Sequence, residues 1–110
     1  MNNSKEYDLI VVIVKNGISE KVVKVAREVG ASGSTVIKGR GSSVHETAKI
    51  LGMPIEPEKE IILMVVEKKD ADNVLKEIVD KAELNKSGVG IGFVLDVEKV
   101  VGMNCDKYED

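Results

Sequence analysis

The chain has 110 residues, a mass of 11.9 kDa and a net charge of −3, which suits one compact domain (residues 1–110). Aromatic residues make up only 3% and Trp is absent, so the core must be aliphatic and exposed rings for stacking nucleic acid bases are scarce. An acidic domain is also a poor binder of nucleic acid or anionic membranes, because both require a positive face. We therefore expect no nucleic acid partner.

The apolar segments are short. The longest runs, residues 9–14 and 61–66, are far too short to span a bilayer. The polar residues 1–6 are not followed by the pattern of a secretory signal. The single Cys105 excludes an internal disulfide. These features predict a cytoplasmic protein that does not insert into a membrane.

Aliphatic, β-branched runs predict four strands, at residues 7–14, 35–38, 60–66 and 91–97. Apolar residues at helical spacing predict two helices, within residues 18–29 and 70–82. Ser19 and Asp70 are the expected N-caps, and Gly30 is the expected terminator of the first helix. Two weaker patterns predict a short helix within residues 43–51, where Val44, Ala48 and Leu51 share a face, and a short fifth strand at residues 100–103.

The order β-α-β-β-α-β is typical of an α+β, ferredoxin-like fold: an antiparallel sheet with both helices on one face. Right-handed crossovers place the third strand between the first and second, and the first between the third and fourth. The core is expected to span residues 7–103, followed by an acidic tail at 104–110. Because the first and third strands are apolar on both faces, the face without helices needs a cover. We therefore expect a homo-oligomer.

Two glycine clusters are predicted to meet at the same end of the sheet. They consist of Gly39 and Gly41 after the second strand, and of Gly88, Gly90 and Gly92 at the start of the fourth. Backbone N–H groups in glycine-rich turns bind anions, and Lys38, Arg40 and Lys86 would add positive charge. Tight turns and bulges are the alternative interpretation.

Residue types for catalysis or metal binding are few. His45 and Cys105 are far apart in sequence, and no His/Cys set has transition-metal spacing. Nucleophile-elbow, P-loop and dinucleotide motifs are absent from the sequence. We therefore predict a protein without enzymatic activity and without a metal site. His45 is interpreted as a surface residue of the long connection, with ligand capture or a pH response as the alternative.

Three segments, residues 28–41, 60–84 and 86–103, resemble the nitrogen regulatory protein P-II family. Members of that family are ferredoxin-like trimers that bind adenine nucleotides between subunits and dock on transporters, enzymes or regulators through a long T-loop. The resemblance implies a homotrimer with no required cofactor, a T-loop at residues 39–59, and ADP, AMP or ATP as effector. The implied partner is a membrane transporter or an enzyme, in the context of nitrogen metabolism.

The resemblance also assigns roles to individual positions. Thr35 matches the threonine near the adenine. The T-loop base corresponds to Gly39, Arg40 and Gly41, and the B-loop beside the phosphates to Gly88, Val89 and Gly90. The segment that meets the partner protein includes Ser42, Ser43 and His45.

Three positions depart from the family pattern. Ile91 replaces the B-loop lysine, and Gly102 and Asn104 replace two phosphate-binding arginines. Each lost charge-assisted hydrogen bond is worth about 1.5–3 kcal/mol, so ADP, AMP or another small anion fits more easily than ATP. The loop has no Tyr, which excludes the tyrosine uridylylation known in part of the family.

Two other functions are compatible with the same fold. One is a CutA- or ACT-type module that binds an amino acid or a divalent ion at a subunit interface. The other is an acylphosphatase-like hydrolase, for which residues 15–17 offer only one lysine as a phosphate cradle.

Overall fold

A computed structural model describes residues 5–42, 48–50 and 53–103 of the chain. Its elements follow the order β1 (Tyr7–Lys15), α1 (Ser19–Glu28), β2 (Thr35–Arg40), β3 (Ala48–Ile50), β4 (Met53–Ile55), β5 (Glu58–Glu67), α2 (Lys68–Lys81) and β6 (Gly90–Val97). Within these residues, the longer strands form an antiparallel sheet in the order β2-β5-β1-β6. The long elements give the predicted βαββαβ order, which confirms the α+β, ferredoxin-like fold and the predicted strand order.

The core lies between the sheet and the two helices. Alternate residues of β1 and β5 point to the helices and are buried, which is the period of two expected for a strand. Val22, Val25 and Ala26 of α1 and Val74 and Ile78 of α2 complete the same buried cluster. The aliphatic core predicted from the composition is therefore the one that forms.

The other face of the sheet is apolar, and none of the helices in the described residues covers it; we call it the open face. Three residues form the central row of this face: Val11 of β1 lies between Leu63 of β5 and Phe93 of β6. Phe93 is 39% exposed, and its neighbours on the same face, Ile91 and Leu95, are 57% and 49% exposed. These residues are too apolar for a solvated sheet face, since exposed apolar patches of this kind mark interaction surfaces.

Both weaker predictions of secondary structure were wrong where the structure describes them. Ala48–Ile50 is a strand, not a helix, and it pairs with Met53–Ile55. This pairing outweighs the local helical period, and the rest of the predicted helix (43–47 and 51) lies outside the described residues. Residues 100–103 form no strand within the described chain. The reason is that β6 ends at Val97 opposite Tyr7, where β1 itself begins.

The predicted helix ends were partly right. Gly30 ends α1 with a φ of +115°, and the Ala31 N–H donates to the Ala26 carbonyl at 2.9 Å, as in a Schellman motif. The predicted N-caps were wrong. Ser19 is the first residue of α1 and Asp70 lies inside α2, and the described residues that precede both helices make no side-chain cap.

An ion-pair cluster closes the far end of the sheet, where β1 begins and β6 ends. The Lys68 ammonium donates to Asp8 at 2.5 Å and to Asp96 at 2.7 Å, and these two carboxylates raise the pKa of Lys68 above its usual range. The backbone N–H of Lys68 also donates to the Glu6 carbonyl at 2.8 Å. This cluster anchors α2 to both strands, far from the glycine-rich turns.

Candidate functional site

Three connections meet at one end of the sheet, which we call the loop end. Lys15 at the end of β1 lies opposite Lys59 of β5, which in turn lies opposite Gly39 of β2. Gly90, the first residue of β6, lies opposite Val14. The predicted convergence of the β1–α1 turn, the long connection and the second glycine cluster is confirmed.

The two glycine clusters nevertheless lie on opposite edges of the sheet. Gly39 belongs to β2 and Gly90 to β6, and β5 and β1 lie between them. Three strand spacings separate the clusters by about 14 Å. Thr35 is exposed on β2 but lies four residues from Gly39, about 13 Å along the strand. One chain therefore presents two separate candidate half-sites.

The first half-site is the end of β2, and we call it the β2 stem (residues 38–41). A cavity of about 460 Å³ is lined here by Lys38, Gly39, Arg40 and Glu58. The Gly41 N–H donates to the Pro57 carbonyl at 3.1 Å, which closes the base of the long connection. Ser42 follows and is exposed, whereas the predicted partner-binding residues Ser43 and His45 lie outside the described residues.

The buried side chain of Glu60 links the β2 stem to the start of α1 by hydrogen bonds. Its carboxylate accepts hydrogen bonds from the backbone N–H of Gly17 at 3.0 Å and of Ser19 at 2.9 Å. The Lys38 ammonium donates to the second carboxylate oxygen at 2.7 Å, and to the side chain of Asn16 at 2.9 Å. Glu60 is only 6% exposed. A carboxylate from β5 thus supplies the negative charge that the N-terminus of α1 favours.

These contacts shift the titration of Glu60. The Lys38 ammonium, followed by the N–H of Ser19, lowers the pKa of Glu60 from 4.5 to about 2. Sequence reasoning missed Glu60, and it assigned Lys38 to the ligand site without identifying this partner. A signal was present: Glu60 is in phase with the buried Ile62 and Met64, where an isolated carboxylate has no place unless it is paired.

The fold is expected to lose stability in acid because of Glu60. The pKa of Glu60 is lower in the folded chain, so its contribution is complete above 4.5 and is lost as the pH falls towards about 2. The loss is at most about 3 kcal/mol. Urea denaturation at a series of pH values would measure it, and Glu60→Gln should remove this part of the pH dependence. Equal pH dependence in both proteins would contradict the assignment.

The second half-site is the turn before β6. Lys86 forms an ion pair with Glu83 at 3.3 Å, and Gly88 has a φ of +82°, a conformation that favours glycine. Val89 is buried, its N–H donates to the Lys86 carbonyl, and its carbonyl accepts from the Lys15 N–H. The backbone of Val89 is therefore engaged within the chain, whereas Gly88 and Lys86 lie at the surface.

Gly90 is required by the sheet itself. A Cβ atom at this position would lie 2.4 Å from the Ile13 carbonyl oxygen and 2.8 Å from a methyl group of Val14. For this glycine, the close approach of two backbones is a sufficient explanation.

We expect Gly90→Ala to destabilise the chain by about 2–3 kcal/mol, because the clash is with backbone and cannot relax. Gly33→Ala is the matched control, since a Cβ there meets no atom within 4 Å. Chemical denaturation of both variants gives the comparison. Equal denaturation midpoints for the two variants would show that the backbones of β1 and β6 are farther apart at Gly90 than the structure indicates.

The described residues contain no group of three or more His, Cys, Asp or Glu side chains placed to hold a metal ion. Cys105 lies outside them. None of the helices in the described part of the chain is long and apolar enough to cross a membrane.

A split βαββαβ sheet with an open apolar face and glycine-rich turns at one end defines a ferredoxin-like binding domain. The sequence model of the nitrogen regulatory protein P-II family matches residues 7–107, and the chain belongs to that family. Members of this family are regulatory signalling proteins rather than enzymes.

A comparison of structures supports the same fold. The chain is similar to the crystal structure of Arabidopsis thaliana PII bound to citrate, with a TM-score of 0.69 and 23% sequence identity. The match covers 89% of this chain and 81% of that chain.

Proposed function

We propose that this chain is a P-II-type signalling protein that works as a homotrimer. Its copies bury their open faces against one another, and a small anionic effector binds between neighbouring copies. The effector is an adenine nucleotide, with ADP or AMP favoured over ATP. Through the long connection at residues 39–59, the trimer with its bound effector regulates a membrane transporter or an enzyme, as in nitrogen metabolism.

The observation that carries the proposal is the placement of the two half-sites on opposite edges of a sheet whose open face is apolar. The backbones of the two half-sites of one chain lie about 14 Å apart on opposite edges of the sheet, so a small ligand cannot contact both backbones. Association through the open face would bring the β2 stem of one copy towards the turn before β6 of another. The same association would remove the apolar surface from water, which is the main driving force for assembly.

The chemistry of the half-sites favours a small anion. Arg40 makes no ion pair with any described residue, so its guanidinium is available for a phosphate or carboxylate. Thr35 is exposed on the same strand, and Gly39, Gly41 and Gly88 permit close backbone approach. Ile91, in the position of the family lysine, is 57% exposed and adds no charge. The citrate in the Arabidopsis structure is itself a small anion.

Calorimetry on protein whose trimeric state has been verified by ultracentrifugation tests the proposal. ATP, ADP, AMP, cyclic AMP and citrate form the ligand panel. We expect heat with at least one nucleotide, and absence of heat with all of them would remove the nucleotide from the proposal.

Arg40→Gln should weaken binding about tenfold, since a charge-assisted hydrogen bond is lost. Arg27→Gln, at an exposed residue of α1, is the control and should bind as the wild type does.

A further inference from the structure

We infer that Glu60 is a specificity-determining residue of the proposed effector site: it holds Lys38 away from the ligand and leaves Arg40 as the available cation of the β2 stem. This inference rests on the proposed function. It assigns Lys38 a positioning role within the fold and not a role in contacting the ligand.

The contacts of Lys38 support this assignment. Lys38 and Arg40 are two residues apart on β2, so both point to the same side, and both line the cavity at the β2 stem. The Lys38 ammonium is already held at 2.7 Å by Glu60 and at 2.9 Å by Asn16. Glu60 cannot follow a ligand, because its carboxylate is buried and also accepts the N–H groups of Gly17 and Ser19.

The effect of Glu60 on Lys38 can be measured by comparing the affinities for ligands that carry different numbers of phosphate groups. A guanidinium binds one phosphate group in a bidentate manner, so Arg40 suffices for a monophosphate. The additional phosphates of ATP would require a second cation, and Lys38 could supply it only by leaving Glu60. The side chain of Lys38 is 66% exposed, so a released ammonium could turn into the cavity. Neutralising Glu60 should therefore favour ligands in proportion to their charge.

A purely structural role of Glu60 predicts a different result. If Glu60 only stabilised the fold, its replacement would weaken AMP and ATP binding by the same factor. The ratio of the two dissociation constants therefore separates the two roles. Glu60→Gln is the informative variant, because its amide oxygen can still accept the N–H groups at the start of α1 while the negative charge is removed.

The experiment measures dissociation constants of AMP and ATP by calorimetry for the wild type, for Glu60→Gln and for the double variant Glu60→Gln/Lys38→Met. We expect Glu60→Gln to shift the ratio about tenfold in favour of ATP, the effect of one added charge-assisted hydrogen bond. The double variant has the same net charge at the Lys38–Glu60 pair as the wild type and lacks the ammonium, so it should return the ratio to the wild-type value. Circular dichroism and ultracentrifugation verify fold and assembly.

Three results would overturn the inference: an unchanged ratio in Glu60→Gln, a shift towards ATP that persists in the double variant, or preferential loss of ATP binding in the double variant relative to the wild type. The last result tests the inference even if Glu60→Gln alone does not fold. If the wild type binds no adenine nucleotide, that part of the proposed function fails separately. In that case the affinities for tripolyphosphate and orthophosphate are compared. The inference then requires that Glu60→Gln bind tripolyphosphate more tightly than the wild type does, and that the double variant lose this gain.

Discussion

Replacement of Phe93 by lysine is expected to leave the chain folded but unable to assemble. Phe93 is 39% exposed in the single chain, so a lysine there keeps its ammonium in water and does not disturb the core. In an assembly that covers the open face, the same ammonium would be buried without a partner, which is unfavourable by several kcal/mol. Sedimentation velocity should therefore show a single subunit for the variant and a trimer for the wild type.

Loss of assembly should also abolish effector binding, because the two half-sites of one chain lie on opposite edges of the sheet. Asn73→Lys is the matched control, since Asn73 is an exposed residue of α2, on the helix side of the molecule. We expect the control to assemble and to bind as the wild type does. A trimeric Phe93→Lys protein would show that the open face is not the subunit interface.

The sequence was sufficient to predict the sheet, the helices and the convergence of loops. The aliphatic runs of β1 and β5 and the helical periods of α1 and α2 are local patterns, and right-handed crossovers leave few ways to connect them. The open face was also predictable, because β1 and β5 are apolar on both faces. What these patterns determine is the backbone architecture and the surfaces that it leaves uncovered.

Two of the errors share a physical cause, which is that a hydrogen-bond partner outside the local pattern overrides it. Ala48–Ile50 has a helical pattern but pairs with Met53–Ile55. Ser19 and Asp70 are good capping residues, yet the first turn of α1 is satisfied by Glu60, 41 residues from Ser19 in sequence. Local preference is a weak guide wherever a tertiary partner offers a better hydrogen bond.

The candidate site was predictable only as a region. The sequence could not distinguish Gly90, which is required by the close approach of β1, from Gly88, whose positive φ belongs to an exposed turn. It also could not show that Lys38 is already paired whereas Arg40 makes no ion pair with any described residue. Both distinctions depend on side-chain distances across neighbouring strands.

Glu60→Ala should produce a loss of about 2–3 kcal/mol in the free energy of unfolding, because it leaves the N–H groups of Gly17 and Ser19 without their acceptor. Lys38 is exposed enough to be hydrated after the substitution, so the unpaired N–H groups account for most of the loss. Glu58→Ala is the matched control: Glu58 lies two residues earlier on the same side of β5, is exposed, and should change stability by less than about 0.5 kcal/mol. Urea denaturation near neutral pH compares the two variants. Equal destabilisation would mean that the N-terminus of α1 is satisfied by water, and that Glu60 does not link this helix to the β2 stem.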